Sequence, residues 1–331
     1  MPPGAARSHE AGPRAAPSRC AAPNPGIRGG QRSAVDLTNR ASPRDVALET
    51  TLLAHGVPRA AAPALARDLA GAVDEGSGGA ARAAVVGLVA GTPTVGMTDD
   101  ELTRWLDQRP APLKVNTPNL SVAMHRRLDA ATTVSTTLEL AAAAGLRLFA
   151  SGGLGGVHRD PAHRLDISCD LAALARFPVA LVASGVKSLL DVEATREALE
   201  SLGVPVVGYR CDRFPAFYLR ESDAALDARF DDPRDLASFL ALHTSRAARG
   251  VLIANPVPEP HAIDPPTWRR WLDEASGRAR TRGVSGRDTT PAVLAELHEV
   301  SGGATLRANR ALAVANARLA GELAAAMPAA R

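Results

Sequence analysis

Lys114 and Lys187 are the only lysines among the 38 basic residues of this 331-residue sequence, and the other 36 are arginines. Arginine supplies a permanent positive charge, whereas an amine that can lose its proton is able to attack a carbonyl carbon. The two lysines therefore point to carbonyl chemistry. The alternative is that a composition biased towards alanine and arginine has kept two lysines by chance.

Lys187 follows an apolar strand, Val179–Ala183, after the short turn Ser184-Gly-Val186. The pattern predicts a strand, a turn and a helix over residues 187–201, with Lys187 in the first helical turn. The positive end of the helix dipole and partial burial would both favour the neutral amine, which is the form that a Schiff-base nucleophile needs. The alternative is a solvated lysine at a helix end.

Glu49 is a carboxylate within an otherwise apolar run, Val46–Leu53, which predicts a strand. Burial would raise the pKa of this carboxyl group and make it a usable general acid. The alternative is an exposed position on an edge strand. His55 follows two residues after the run and is more typical of a turn than of a ligand.

A glycine-rich loop, Ser151–Arg159, follows the predicted strand Leu146–Ala150. Its glycines would let backbone N–H groups approach an anion, although a flexible surface turn has the same composition. The third glycine of the G-x-G-x-x-G dinucleotide fingerprint is missing.

Asp166 and Asp170 lie four residues apart in Asp166-Ile-Ser-Cys-Asp170. Oxygen ligands without a Cys or His cluster suit Mn²⁺ or Mg²⁺ better than Zn²⁺. Spacing alone favours a different interpretation, in which Asp166 or Ser168 caps a helix that begins near Cys169.

The composition excludes several classes of protein. Hydrophobic residues make up 46% of the chain and aromatic residues 3%, so the core must be built from Ala, Val and Leu. A net charge of +3 without a basic, aromatic-rich stripe gives no support for nucleic-acid binding. Three widely spaced cysteines argue against a disulfide framework and fit a reducing cytoplasm. Neither a membrane span nor a signal peptide is indicated.

Residues 1–40 are rich in Pro, Gly, Ala, Ser and Arg, which predicts a disordered extension. Residues 41–331 are predicted to form one catalytic domain, in which short apolar runs alternate with helical patterns. Helices are predicted near 59–74, 119–144, 187–201 and 233–247, with three more after Pro265. This alternation predicts a three-layer α/β/α fold with a mainly parallel, possibly mixed, central sheet.

Six segments resemble motifs of the pseudouridine-5′-phosphate glycosidase family in both order and spacing. They are Ala47–Thr51 with His55-Gly56, Ala131–Val134, Ser151–Arg159, Asp166–Leu171, Gly185–Asp191 and Asn255–Glu259. The resemblance covers about residues 45–325 and continues through Gly203–Pro205, Thr290-Pro291 and Gly302-Gly303 to Asn309. Several motifs in one order are far more specific than any one of them.

The resemblance implies a metal-dependent, reversible cleavage of the C–C glycosidic bond of pseudouridine 5′-phosphate to uracil and ribose 5-phosphate. In that family the ribose ring opens and a lysine forms an adduct at the anomeric carbon. Lys187 would be this lysine, Glu49 the proton donor and Asp166 the ligand of Mn²⁺, or of Mg²⁺ or another divalent cation. The implied substrate-binding residues are Lys114, Val134, His158, Ser168, Cys169, Asp170 and Asn309. A homotrimer is also implied.

The segment after the first lysine departs from the family pattern. The family typically has Lys-Val-Ser-Arg-Arg-Asp, and this chain has Lys114-Val-Asn-Thr-Pro-Asn119. Asp160 likewise replaces a glycine after the His-Arg pair. The bond chemistry should persist, whereas recognition of the phosphate or the base is expected to differ.

Three functions remain open at this stage. The first is the catabolic glycosidase. The second is a C-glycosynthase that joins ribose 5-phosphate to another nucleobase-like or aromatic acceptor, which the altered segment favours. The third is a sugar-phosphate binder without turnover. The sequence does not fix the physiological direction of the reaction or the base.

Overall fold

Short apolar segments form the strands of the computed structural model, which describes residues 37–159, 166–282 and 289–328, and only the backbone of residues 289–291. In chain order they are β1 Thr38–Asn39, β2 Val46–Glu49, β3 Ala83–Val89, β4 Thr92–Val95, β5 Leu113–Val115, β6 Ala130–Thr132, β7 Leu148–Ala150, β8 Val157–His158, β9 Ala180–Ala183, β10 Leu190–Asp191, β11 Val206–Tyr209, β12 Ala228–Phe230 and β13 Val251–Ala254.

Eleven α-helices lie between and after these strands in the described ranges. They are α1 Thr51–His55, α2 Ala62–Ser77, α3 Asp99–Leu106, α4 Leu120–His125, α5 Val134–Ala143, α6 Cys169–Arg176, α7 Val192–Ser201, α8 Pro233–Arg246, α9 Pro265–Thr281, α10 Thr289–Val300 and α11 Ala304–Ala326. None of the described helices is both long and apolar enough to cross a lipid bilayer.

The large sheet follows the order β1-β4-β3-β2-β7-β9-β13-β11-β12, and β6 joins β3 to β5. From β3 to β12 every neighbouring pair along this path is parallel. Strands β4 and β6 are antiparallel to β3. The prediction of a mainly parallel, mixed sheet is confirmed. A separate antiparallel pair joins β8 to β10.

Alternate residues of the central strands pack on opposite faces of the sheet, as the period of two in a strand requires. Leu48 and Val182 belong to the core that also contains residues of α2, α8 and α11. Ala47 and Leu181 belong to the core that contains residues of α5, α6 and α7. This arrangement confirms the three-layer α/β/α fold in a single domain.

Helices α2 and α11 approach each other so closely that glycine is needed on both. A Cβ atom on Gly76 would lie 2.2 Å from the carbonyl oxygen of Arg318, and one on Gly321 would lie 2.4 Å from that of Val73. Any larger residue at either position would push the backbones apart. The pair of helices is therefore a close-packed seam over one face of the sheet.

Some predicted boundaries are wrong. The segment 119–144 is not one helix, because the chain leaves α4 through Arg127, whose φ is +52°, and then forms β6 before α5 begins. The alanines of β6 favour a helix, but pairing with β3 and β5 places them in the sheet. The strand that begins at Val46 ends at Glu49 rather than at Leu53, since α1 starts two residues later.

The predicted N-terminal extension falls mostly outside the described residues, which begin at residue 37. Residues 37–40 had been assigned to it, but Thr38–Asn39 is a strand parallel to β4. Arg40 also forms a bidentate ion pair with Glu101, with N–O distances of 2.9 Å. Residues 37–40 are therefore part of the domain.

Candidate active site

The carboxyl ends of β2, β7 and β9 meet at one edge of the sheet. Glu49 ends β2, Ser151 follows β7, and Ser184 follows β9. After β2 the chain runs through α2 to β3, which lies on one side of β2. It later runs through α5 to β7, which lies on the other side of β2. Such a reversal of strand order opens a crevice at the carboxyl ends, where ligands bind in open α/β sheets.

Glu49 is 7% exposed. The Ser151 hydroxyl donates a hydrogen bond to its Oε1 atom. Burial raises the pKa of Glu49 above its ordinary value, while the positive charge of Lys187 and the hydrogen bond from Ser151 oppose this rise. The predicted burial and the predicted direction of the pKa shift are therefore both found, and the carboxyl group can hold a proton at a higher pH than an ordinary glutamate.

Lys187 does not lie in a helical turn, contrary to the prediction. Helix α7 begins at Val192 and is capped by Asp191, whose side chain accepts a hydrogen bond of 2.9 Å from the backbone N–H of Ala194. Lys187 instead is an exposed residue in an irregular segment between the buried Val186 and Ser188, and its backbone N–H donates to the carbonyl oxygen of Leu154 at 3.1 Å. The predicted helical turn and partial burial are therefore both absent at Lys187, and its positive charge lies close enough to Glu49 and Lys114 to act on both.

We call Glu49, Ser151, Ser184 and Lys187 the acid–amine cluster. Its members come from three neighbouring strands, and all except Lys187 are buried. It places a buried carboxyl group with a raised pKa near an exposed amine, and a proton donor and an amine are the pair of groups that Schiff-base chemistry requires.

Lys114 lies on β5, which pairs with β6 so that Lys114 is opposite Ala131. Loss of surrounding water lowers the pKa of Lys114, and the positive charge of Lys187 lowers it further. Glu49 and Asp170 act in the opposite direction. The structure thus brings both lysines of the chain to the same site, although they are 73 positions apart in the sequence.

Residues 114–119, which we call the Lys114 loop, turn back on themselves. The Asn119 side chain accepts a hydrogen bond of 2.8 Å from the backbone N–H of Asn116, and Asn116 caps the short 3₁₀ helix Thr117–Asn119 in return. The backbone N–H of Thr117 contacts the hydroxyl of Ser135 at 3.3 Å. After Lys114 the loop has no charged side chain.

The N-termini of α5 and α6 are joined by Asp170. This carboxylate is 6% exposed and accepts hydrogen bonds from the backbone N–H groups of Ser135, at 2.9 Å, and Gly155, at 3.0 Å. Val134 is the first residue of α5, and its side chain is buried. Cys169 donates a hydrogen bond from its thiol to the Ser135 hydroxyl, and burial raises the pKa of this thiol.

Ser168 caps α6, as spacing alone suggested. Its hydroxyl accepts a hydrogen bond of 3.2 Å from the backbone N–H of Asp170. The glycine-rich loop packs directly on this cap, because a Cβ atom at Gly155 would lie 2.4 Å from the Ser168 hydroxyl. One at Gly153 would lie 2.5 Å from the Phe217 ring. These glycines are thus needed for close packing of the protein on itself.

Asp166 and Asp170 do not form a paired set of oxygen ligands, because Asp170 is buried and bonded to backbone N–H groups. Asp166 is exposed, and its carboxylate lies 3.9 Å from the imidazole of His158. No group of three or more possible metal ligands occurs within residues 37–159, 166–282 and 289–328. One carboxylate with a neighbouring imidazole still fits Mn²⁺ or Mg²⁺, since Mg²⁺ usually binds one or two carboxylates and keeps several waters.

Asn309 lies on α11 and is 7% exposed. Its amide nitrogen donates to the carbonyl oxygen of Gly56 at 3.1 Å, and its Oδ1 atom has no hydrogen-bond partner within the described ranges. This oxygen lies 3.4 Å from a Cβ atom built on Gly152, at the start of the glycine-rich loop. It is therefore an acceptor directed towards the site.

Asn316, on the same helix, was missed by sequence reasoning. It is completely buried and donates to the carbonyl oxygen of Ser151 at 2.8 Å and to the hydroxyl of Ser184 at 3.1 Å. Its Oδ1 atom accepts a hydrogen bond of 2.9 Å from the amide of Asn255. A buried asparagine in an Ala- and Leu-rich helix is the signal that could have indicated it.

Comparison with known proteins gives consistent matches. The family described as indigoidine synthase A like protein matches residues 38–326. A pseudouridine-5′-phosphate glycosidase from Symbiobacterium thermophilum is 43% identical over 289 residues, covering 86% of this chain and 92% of that protein. One from Salinispora tropica is 44% identical over 283 residues, covering 85% and 86%.

Two solved structures share the fold over nearly their whole length. An indigoidine synthase A-like protein from Thermotoga maritima superposes with a TM-score of 0.78 at 34% identity and covers 88% of this chain and 96% of its own. The prealnumycin C-glycosynthase AlnA in complex with ribulose 5-phosphate gives a TM-score of 0.79 at 32% identity, with coverages of 88% and 97%.

Proposed function

Because the chain belongs to the indigoidine synthase A-like family together with the pseudouridine-5′-phosphate glycosidases, we propose that it reversibly cleaves a C–C glycosidic bond. The proposed reaction converts pseudouridine 5′-phosphate and water to uracil and ribose 5-phosphate. The observation that carries this proposal is the acid–amine cluster, in which the positive charge of the exposed Lys187 lies close enough to the buried carboxyl group of Glu49 to lower its pKa.

Lys187 is proposed as the nucleophile. Its neutral amine attacks the anomeric carbon, the ring oxygen departs and takes up a proton, and the ribose opens to a chain that is bound to Nζ. The nitrogen lone pair then expels C5 of uracil as the C–C bond breaks, leaving an iminium group. Water hydrolyses this group and releases ribose 5-phosphate and the free amine.

Glu49 is proposed as the proton donor to C5 of the departing uracil. A carboxyl group with a raised pKa suits this role, because it is still protonated where an ordinary glutamate would be ionised. In the reverse direction the carboxylate removes the same proton once C5 has bonded to the anomeric carbon. The Ser151 hydroxyl, which donates to Oε1, leaves the other carboxyl oxygen for the proton that is transferred.

Asp166, with His158 beside it, would hold the proposed Mn²⁺. Such a cation would neutralise negative charge on a bound sugar phosphate and orient it. Val134 begins α5, where helical N–H groups favour an anion. Lys114 would contribute a charge to substrate binding, and the Oδ1 atom of Asn309, which accepts no hydrogen bond from the described residues, would contribute an acceptor.

Uracil release tests this function. Purified protein with Mn²⁺ and pseudouridine 5′-phosphate should release uracil, which chromatography detects. Borohydride added with ribose 5-phosphate should trap a reduced adduct on Lys187, which peptide mass spectrometry locates. No uracil release at saturating substrate would reject the glycosidase. Tight binding of ribose 5-phosphate without an adduct would instead indicate a binder that has lost turnover.

A C-glycosynthase is the second candidate, and the Lys114 loop favours it. This loop closes on itself through Asn116 and Asn119 and presents no charge after Lys114. The resemblance to the prealnumycin C-glycosynthase adds support. Competition between uracil and aromatic acceptors for ribose 5-phosphate separates the two functions. A strong preference for uracil would reject the synthase.

The homotrimer, the cytoplasmic location and the identity of the cation stay predictions. Mass photometry of the purified chain tests the first, because a trimer would have about three times the 34.3 kDa chain mass. Activity titrations with Mn²⁺ and Mg²⁺ after chelation test the third.

A further inference from the structure

Three strand ends of the site are tied together by one amide. Asn316 donates to the carbonyl oxygen of Ser151 after β7 and to the hydroxyl of Ser184 after β9, and it accepts from Asn255 after β13. Asn316 itself is completely buried, so water does not compete for these bonds.

Two of these contacts lead directly to the proposed catalytic groups. Ser151, whose carbonyl oxygen Asn316 holds, donates its hydroxyl to Glu49. Ser184, whose hydroxyl Asn316 holds, begins the segment that carries Lys187 three residues later. The backbone N–H of Ser184 also donates to the carbonyl oxygen of Gly152 at 3.0 Å, so the two segments are bonded to each other as well.

We propose that Asn316 is a positioning residue that sets the placement of Glu49 relative to Lys187 by fixing Ser151 and Ser184. It touches neither of the proposed catalytic groups and acts through its two serine partners. The inference deepens the proposed function and rests on it for the roles of Glu49 and Lys187.

The direction of the effect on Glu49 follows from the Ser151 hydrogen bond. This bond stabilises the carboxylate form and opposes the rise in the pKa of Glu49. Loss of Asn316 would let the Ser151 segment shift and weaken the bond. The pKa of Glu49 should then rise further, and the distance between donor and amine should become less well defined.

The test is a direct titration of Glu49 in the resting protein. Difference infrared spectra of each protein against its own Glu49→Gln variant report the stretch of the protonated carboxyl group, with no substrate present. We expect Asn316→Ala to move this titration to higher pH and to lower kcat by about 10- to 100-fold with KM little changed, as small misplacements of reacting groups do.

Two further variants keep the test decisive. If Asn316→Ala does not fold, Asn255→Ala loosens the same amide from a half-buried position and should move the Glu49 titration in the same direction. Ser77→Ala is the matched control. The buried Ser77 hydroxyl donates hydrogen bonds to the carbonyl oxygens of Asp74 and Ala81, where the chain passes from α2 to the amino end of β3, at the edge of the sheet opposite the site. This substitution should lower the melting temperature without moving the titration.

An unchanged Glu49 titration in folded Asn316→Ala, or in Asn255→Ala where Asn316→Ala does not fold, would overturn the inference. A shift of the same size in Ser77→Ala would also overturn it, since a general loss of stability would then explain the result. Failure of the proposed function has a different signature, which is the absence of turnover and of a Lys187 adduct in the wild-type protein while the titration still responds to Asn316.

Discussion

The acid–amine cluster and the Lys114 loop lie at the same crevice but are held in different ways. Ser151 bonds Glu49 across 102 positions of sequence, and Asn316 bonds Ser151 across 165. The Lys114 loop is closed by Asn116 and Asn119, only three positions apart. We therefore expect substitutions in the loop to change which substrate is bound without disturbing the proposed catalytic groups Glu49 and Lys187.

Of the substitutions in these two regions, Lys187→Arg should have the largest effect on turnover, because arginine keeps the charge but cannot form a Schiff base. We expect turnover to fall on the order of 10⁴-fold or more, as removal of a catalytic nucleophile does. Stability should change little, since the residue is exposed. Borohydride trapping followed by intact-mass measurement checks the loss of the adduct. The Lys114→Arg variant should still form the adduct. An adduct in the Lys187→Arg variant would show that another residue is the nucleophile.

Glu49→Gln should lower kcat by about 10²- to 10⁴-fold, the range for loss of a general acid or base. In the wild type, cleavage should fall as the pH rises through the pKa of Glu49, because the donor is then ionised. The variant should lack this limb of the pH profile. Adduct formation between ribose 5-phosphate and Lys187 should continue, and its loss would show that Glu49 also assists the attack.

The same substitution makes a prediction about stability. Burial raises the pKa of folded Glu49, so its contribution to stability is present below the ordinary glutamate pKa and is lost as the pH rises through the folded value. Glu49→Gln should therefore gain stability relative to the wild type with rising pH. Urea unfolding at several pH values measures this. A constant difference across the range would contradict burial as the cause of the shift.

Asp166→Asn should weaken Mn²⁺ binding by at least about 10- to 100-fold, since loss of a hydrogen-bond partner of a metal ligand already has an effect of this size. Electron paramagnetic resonance of free Mn²⁺ measures the affinity without reference to activity. Glu193→Gln, an exposed carboxylate at the start of α7, is the control and should leave binding unchanged. Equal Mn²⁺ affinity of the Asp166→Asn variant and the wild type would show that Asp166 is not a ligand of the cation.

Restoring charge to the Lys114 loop should have a smaller and more selective effect. The double variant Thr117→Arg, Pro118→Arg should lower KM for pseudouridine 5′-phosphate by about 10-fold, in line with about 1.5–3 kcal/mol for a hydrogen bond to a charged group. The Lys187 adduct should form as before. Val122→Arg places a charge on the exposed side of α4 nearby and should not change KM. If it does, the effect is one of net charge.

Ser168→Ala should have the smallest effect. Loss of the cap on α6 should lower the free energy of unfolding by about 1 kcal/mol, which urea titration measures. KM should rise by less than about threefold, as expected if the hydroxyl mainly caps the helix. A rise of tenfold or more with unchanged stability would assign the hydroxyl to the substrate instead.

Short apolar runs separated by helical patterns made the sheet and most helices predictable, because a run such as Ala83–Val89 has the length of a buried strand and is too short for a typical helix. The prediction of a helix over 119–144 failed because Ala130–Thr132, whose alanines favour a helix, pairs with two strands instead. Such pairing joins residues that are distant in the sequence, so the local pattern of residue types does not predict it.

The candidate site was predictable where a residue type was unusual for its surroundings, as for Glu49 in an apolar strand. The surroundings of Lys187 were not predictable, since the start of α7 depends on Asp191 as its cap. Asp166 and Asp170 look equivalent in sequence, and only packing separates the buried carboxylate from the exposed one. Asn316 gave no local motif, because its partners come from three other segments.

The glycine seam between α2 and α11 gives the enzyme a remote point of vulnerability. Gly321 is little more than one helical turn beyond Asn316, and its Cα lies against the backbone of α2 with no room for a methyl group. A substitution that places a larger side chain in this helix contact, away from the crevice, would displace α11 and with it the side chain of Asn316. Substitutions outside the substrate pocket can thus change the rate of catalysis.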